Sequence, residues 1–466
     1  MRGGKLVCVV AAMLLSSVIC AKTAHAQQQP YRADTSEMMI VSAASLDNIV
    51  RRIDALESNV ENDVSETGVC KEVDIIEKPT QKWSGRVHFD YWPFPTDSPL
   101  ANFLETGDPA TGPRDLIAFR RLRFGVRGDV NETMEYKIEM EFAAPNLITF
   151  KDAFLGWNKL PMLQTVLLGN QKRPYGLAHL NSSRYSVFME RPFHVEAFNQ
   201  DARRFGLQSH GVSDNEQWNW RYGCFLMDDL ARTGGQRSDD YESELAGRLA
   251  NTVWYDEVSD GRGYAHWAMS GSAAFPGGGP NGRFTTRPEA RTARKWIDTG
   301  VLDANTYQLI GLEGVLNIGA FSVVGEYQIA RVQRSGAPDL EFGGGYVYVA
   351  HFLTGEHTPW SRNSGILGRT IPFENFFMVC DCDGNRAHGW GAWQVAARYS
   401  HGDFSDHDVF GGVGDSFTFG MNWWWNPNAR MQFNYIHGNI SDRVVAGAPD
   451  TQGRYNIFGA RFMVDF

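Results

Sequence analysis

From Trp83 onward the chain alternates between apolar and polar positions. Over 83–92, Val87, Phe89 and Tyr91 fall on one side and Arg86, His88 and Asp90 on the other. Over 117–128, Leu122, Phe124 and Val126 oppose Arg121, Arg123, Gly125 and Arg127; over 134–142, Tyr136, Ile138, Met140 and Phe142 oppose Lys137, Glu139 and Glu141. Successive side chains of a strand point to opposite faces. Each segment therefore has one greasy face and one too charged for a two-sided core. The same period predicts strands at 148–157, 165–173, 203–210, 218–226, 244–253, 263–272, 306–315, 320–329, 346–356, 392–400, 416–425, 430–437 and 455–466. That is an all-β chain of about 16 strands, an even number in the range of transmembrane antiparallel β-barrels. The last strand closes on an aromatic, Phe466, and carries Arg461 on its polar face.

The connections also alternate. With the N-terminus on the periplasmic side, the long connections 93–116, 174–202 and 273–305 fall outside the cell. The short ones at 129–133, 158–164, 211–217 and 316–319 fall in the periplasm. The longest, 357–391, lands on the periplasmic side. It holds either a further hairpin or a segment folded into the lumen.

Before Trp83 the pattern differs. Arg2 and Lys5, an apolar stretch over 6–19 and Ala24-His25-Ala26 form an export signal. The apolar run is shorter than the roughly 20 residues that span a bilayer. The expected organisation is a signal peptide at 1–26, a polar linker at 27–37, a helical segment at 38–62, a second linker at 63–82 and a barrel at 83–466. In the helical segment Leu46, Ile49, Ile53, Leu56 and Val60 are spaced 3, 4, 3 and 4 apart. This is a heptad seam, and it predicts a short coiled coil.

Composition adds limits. Mean hydropathy is −0.34 and no later run is apolar enough for a membrane helix, which excludes a helical membrane protein but not a barrel. Net charge is −10; without Arg2, Lys5 and Lys22 there remain 41 basic residues against 54 acidic ones. An acidic chain does not point to nucleic acid. Net charge says nothing about a pore, whose field comes from its lining. Cys70, Cys224, Cys380 and Cys382 survive signal cleavage and fit loop positions or a periplasmic disulfide. Asp381-Cys382-Asp383-Gly384-Asn385 begins like a calcium loop, but the twelfth position is Ala392 and the segment reads as a turn. Neither Gly-x-Ser-x-Gly nor His-Glu-x-x-His occurs, so an enzyme, a metal site and a cofactor are not expected.

Several stretches occur in a specific order: Phe119-Arg120-Arg121-Leu122-Arg123-Phe124-Gly125-Val126-Arg127-Gly128, Lys151-Asp152-Ala153-Phe154-Leu155-Gly156, Gly169-Asn170-Gln171-Lys172-Arg173-Pro174-Tyr175-Gly176, Ser182-Ser183, Phe188-Met189-Glu190-Arg191, Leu353-Thr354-Gly355-Glu356, Gly391-Ala392-Trp393, Ala397-Arg398-Tyr399-Ser400 and Asn422-Trp423. Together they resemble the phosphate-selective porins of the O/P family over essentially 83–466. The resemblance implies a trimeric outer-membrane channel of sixteen strands. Inward loops and an arginine ladder would guide small anions such as phosphate to a constriction. A long periplasmic turn would enter the channel, which accounts for 357–391. Besides anions, the implied partners are outer-membrane lipid and the barrel-assembly machinery that reads the terminal Phe466.

The candidate anion path follows. Parity turns Arg121, Arg123 and Arg127 inward, and Arg248, Arg398 and Arg461 also lie opposite apolar neighbours. The 273–305 connection carries Arg283, Arg287, Arg291, Arg294 and Lys295, and resembles the family's arginine-bearing loop. Ser182, Ser183 and Arg191 match its anion-binding loop, although 176–185 lacks the lysine of selective members. Arginine stays charged and presents a planar fork of donors. Glu139, Glu141, Glu313 and Glu326 also fall inward by parity. The same arginines could therefore be ion-paired wall residues. A structural or adhesive barrel, plugged and tethered through the coiled coil, is the alternative function.

Overall fold

The computed structural model describes residues 79–466, apart from 96–97, 145–146, 200–202, 231–240, 278, 280–281 and 381–385. The expected signal peptide, coiled coil and most of the linkers lie outside the described residues. Sixteen strands form the wall: β1 (Lys82–Trp92), β2 (Leu116–Asn131), β3 (Met134–Glu141), β4 (Thr149–Leu160), β5 (Gln164–Lys172), β6 (Arg203–Val212), β7 (Trp218–Leu226), β8 (Ser243–Tyr255), β9 (Gly263–Phe275), β10 (Ala304–Ile318), β11 (Phe321–Arg334), β12 (Leu340–Phe352), β13 (Ala392–Asp406), β14 (Val409–Asn426), β15 (Ala429–Arg443) and β16 (Gly453–Asp465). They pair antiparallel in chain order, and β1 closes on β16 from Arg86–Asp465 to Tyr91–Ala460. Closure leaves no strand edge unpaired, which is what a sheet needs in order to cross a bilayer.

The two faces of each strand differ as the alternation requires. On β14, Phe417 and Phe419 are 53% and 57% exposed, while Ser416 and Thr418 are 1% exposed. The outward apolar residues form a belt that lipid covers. At the periplasmic end Trp393 stacks on Trp423 at 4.8 Å, beside Trp425. Amphipathic rings of this kind belong at the membrane interface.

The lumen is furnished from both ends. The first external connection holds helix α1 (Pro99–Thr106), capped by the Ser98 hydroxyl and ended by Gly107 at φ 88°. Glu105 of α1 accepts hydrogen bonds from the backbone of Ala293 and Arg294 and from Trp296 Nε1, at 2.6, 3.2 and 2.9 Å. This ties α1 to the 276–303 connection. The 173–202 connection, with helices α2 (Leu177–Leu180) and α3 (Phe193–Asn199), lies against the inner wall. Phe198 meets Phe284, and Phe284 meets Tyr307, at 5.3 and 5.4 Å, so the two long external connections share a core.

From the opposite end, 353–391 sends its first half into the lumen. Tyr264 donates to the Thr358 carbonyl, Asn219 to that of Arg362 and Arg248 to that of Gly365, at 2.9, 2.7 and 2.9 Å. Gly365 sits at φ 59°, and a Cβ there would lie 2.4 Å from Asn219 Oδ1, so glycine is required. The Leu367 N–H donates to Asn181 Oδ1 at 3.0 Å, and the two inward segments meet there. Of the two readings offered for this connection, the inward fold is the one observed for 357–368. A two-strand hairpin (Phe377–Cys380 with Arg386–Gly389) follows, outside the barrel sheet.

Candidate functional site: a basic lumen

The lumen encloses a cavity of about 910 Å³. Among the described residues, seventeen Arg and Lys side chains line it, against five Asp and Glu. A chain of net charge −10 thus surrounds this space with positive charge.

On β2, Arg121, Arg123 and Arg127 descend toward the periplasmic end and all line the cavity. Arg121 contacts His88 Nδ1 at 3.3 Å. Arg123 is bonded to Glu141 and Glu139 at 2.6 and 3.0 Å. Arg127 is exposed and makes no side-chain hydrogen bond to the described residues. Arg120 also reaches the lumen, which parity did not foresee. The β1–β2 register shifts between His88 and Phe89, whose partners are Arg121 and Phe119, so Arg120 is the extra residue of a bulge. Its guanidinium grips Glu190 at 2.6 and 2.8 Å.

Glu190 lies on the 173–202 connection and is shared with Arg461 at 2.8 Å, while Arg461 also pairs with Asp90 at 2.6 and 2.7 Å. Burial works against the Glu190 charge, yet Arg120 and Arg461 hold its carboxyl well below the usual carboxylate range. The next residue is different. Among the described residues, Arg191 donates only to the carbonyls of Ala178 and His179, at 2.9 and 3.3 Å. Burial, with Arg203 and Arg120 nearby, pushes its pKa down to about 10, so it stays charged at neutral pH. Ser182 and Ser183 line the same cavity. Ser183 Oγ accepts from Arg86 Nη1 at 2.9 Å, and Ser182 Oγ from the Arg184 N–H at 3.3 Å. A lysine of the wall also lines this cavity. Lys172 of β5 donates to the carbonyls of Leu180 and Asn181 at 2.7 and 2.9 Å.

The 276–303 connection divides. Arg287, Arg291 and Lys295 line the cavity. Arg287 pairs with Glu196 at 2.8 Å. Burial, with Arg120 next in effect, lowers the Arg291 pKa. Arg283, half exposed, pairs with Asp298 at 2.8 Å, and neither it nor exposed Arg294 lines the cavity. Arg248 is locked to Glu313 and to the Gly365 carbonyl, outside this cavity. Arg398 lines it while paired with Glu289 at 2.7 Å.

Among the candidates, then, Arg121, Arg123, Arg127, Ser182, Ser183, Arg191, Arg287, Arg291, Arg398 and Arg461 share one cavity, whereas Arg248, Arg283 and Arg294 do not. Arg86, Arg120, Lys172, Arg184 and Arg203 join it without having been singled out. Arg86 was visible on a polar strand face; the others sit at a bulge, a strand end or a loop. Among the described residues no His, Cys, Asp and Glu group is arranged to hold a metal.

The model of the family described as phosphate-selective porin O and P matches residues 104–466. An uncharacterized protein of Caulobacter vibrioides is 27% identical over 357 residues, covering 74% of this chain and 68% of that one. Among solved structures, the anion-selective porin of Comamonas acidovorans superposes with TM-score 0.48 at 11% identity, over 84% of this chain and 100% of the other. The outer-membrane channel DcaP of Acinetobacter baumannii gives 0.48 at 11%, over 83% and 97%. A loop-deletion form of Vibrio cholerae OmpT gives 0.48 at 14%, over 83% and 100%. With its family model aligned from the first external connection through to the terminal phenylalanine, the chain belongs to the phosphate-selective porin O and P family and forms a channel in the bacterial outer membrane.

Proposed function

We propose that this channel passes small anions by diffusion, inorganic phosphate and pyrophosphate among them. The excess of basic over acidic side chains around the lumen cavity carries this reading. An anion crossing a narrow passage sheds water, and guanidinium forks replace it with charge and directed donors. Rings of Arg or Lys are the usual device of anion pores. Arg287, Arg291 and Lys295 collect the anion from outside. Arg120, Arg121 and Arg461 form the next stage, with Glu190 moderating their charge. Arg191, Ser182 and Ser183 receive it next, beside Arg86, Arg123, Lys172 and Arg203. Arg127 releases it toward the periplasm. Conduction needs such multiple weak sites rather than one tight one.

The assembly we infer is a homotrimer. Strands β3 to β7 run 8 to 12 residues against 13 to 18 for β8 to β16, a low wall suited to facing other copies. The heptad seam at 38–62 would assist, and Phe466 would be read by the barrel-assembly machinery. Planar-bilayer recording tests the function. We expect ohmic steps, an anion-selective reversal potential and block of chloride current by millimolar phosphate. A cation-selective or silent protein refutes the proposal; silence would leave the plugged structural barrel.

A further inference from the structure

In the second half of the periplasmic connection, Phe376, Phe377 and Trp390 bring aromatic groups to the outer face of the barrel wall. Phe376 lies against the lipid-side rings of Trp423 and Trp425 at 4.6 and 5.7 Å. Its N–H donates to the Trp425 carbonyl at 2.6 Å. The Trp390 carbonyl accepts from Nε1 of both Trp393 and Trp423, at 3.1 and 2.9 Å. This arm is therefore fixed to the interfacial girdle of the barrel, not hung free beneath it. Its rings keep much of their surface open: Phe377, edge-on to His388, and Trp390 are 57% and 72% exposed, and Phe373, beneath the Arg262 guanidinium, is 66% exposed. Ile371 and Leu353, on the same connection, are exposed as well. A folded surface rarely clusters such residues unless something covers them.

We propose that this arm is a lipid-binding wedge, seated in the headgroup and acyl boundary of the inner leaflet around the barrel. The occupant follows from continuity. The arm extends, through Phe376 and Trp390, the same tryptophan girdle that meets lipid, at the barrel end that carries both β1's start and β16's end. Aromatic side chains gain most at that depth, where one edge is apolar and the other wet. The wedge shares its chain with the segment that touches Asn181 in the lumen.

Trp390 is the position to probe, because its carbonyl makes the bonds and its indole is bare. The full chain carrying Trp390→Cys is labelled with bimane without reductant, so that the disulfide at Cys224 stays closed, with the labelled parent chain as the blank, and placed in vesicles of phosphatidylethanolamine and phosphatidylglycerol. Retained conductance shows that the barrel is intact. Acyl-brominated phosphatidylcholine should extinguish most of the fluorescence at 390, and little at Asp450→Cys in the external connection between β15 and β16. Aqueous iodide should do the reverse. Iodide quenching at 390 as strong as at 450, with bromine inert, overturns the proposal. So does ready cross-linking between copies through position 390, which assigns the patch to a second copy.

Discussion

Arg191→Ala separates a charge that works on the anion from one that belongs to the wall. Among the described residues the Arg191 guanidinium has carbonyl partners but no carboxylate, so its charge is not cancelled at contact by any of them. For an anion in the cavity roughly 6 Å away, an effective dielectric of about 20 gives ~3 kcal/mol, and a wetter value of about 40 gives ~1.5 kcal/mol. Phosphate block of chloride current should therefore weaken by about 10- to 100-fold. Arg283→Ala removes an arginine that is paired with Asp298 outside the cavity, and should leave block within about twofold. Bilayer titrations of both variants at fixed ionic strength read the difference. The pH dependence has a defined sign. Arg191 is a cation below its pKa of about 10, so block should fall as pH rises through that value, and this component should vanish in Arg191→Ala. If Arg191→Ala opens normally and phosphate blocks it as strongly as the parent, the reasoning is wrong. Equal changes in anion and cation currents would also defeat it, by showing that the residue only props the loop.

Three further outcomes follow from other contacts. Glu190→Gln releases Arg120 and Arg461 from their shared carboxylate and should move the reversal potential further toward anion selectivity, while loosening the loop enough to raise current noise. Glu105→Ala removes the acceptor of three donors from the 276–303 connection; Arg287 and Arg291 should lose their inward placement, and the gain of anion current at low salt should shrink severalfold. Asn181→Ala leaves the Leu367 N–H without its partner, a loss of about 1–3 kcal/mol, and should appear as open-channel flicker with little change in barrel stability.

Much of this molecule was legible because a barrel repeats one rule. Each of the sixteen expected strands corresponds to an observed one, since lipid demands an apolar residue at every second position. The worst placement was β12, expected at 346–356 and found at Leu340–Phe352. Gly343-Gly344-Gly345, just ahead of the expected start, lie within the strand. A Cβ on Gly344 would come 2.8 Å from His194 Cβ, so the missing side chain is what lets helix α3 approach the wall. Residues of the lumen were legible where parity held, or where a loop matched the family pattern, as at Ser182, Ser183, Arg191, Arg287 and Arg291. Arg121 and Arg123 followed parity; Arg120 did not, because alternation cannot reveal a bulge. Lys172 and Arg203 flank the 173–202 connection, and what brings them to Ser182 and Ser183 is the fold of that loop, which has no period to read. The pairing of Arg248 with Glu313 is likewise a contact between β8 and β10, with nothing in either strand alone to announce it.

The bulge at Arg120 also changes what kind of mutation this strand can absorb. Ile117 and Phe119 face outward at odd positions, while Phe124 faces outward at an even one. Removing a residue from the middle of a membrane strand ordinarily turns half of it inside out. Here, removing Arg120 restores strict alternation: Phe119, Leu122 and Phe124 keep their places toward lipid, and one lumen cation is gone. The channel can thus lose or regain a charge by a single-codon deletion or insertion, with no compensating change along the rest of the wall.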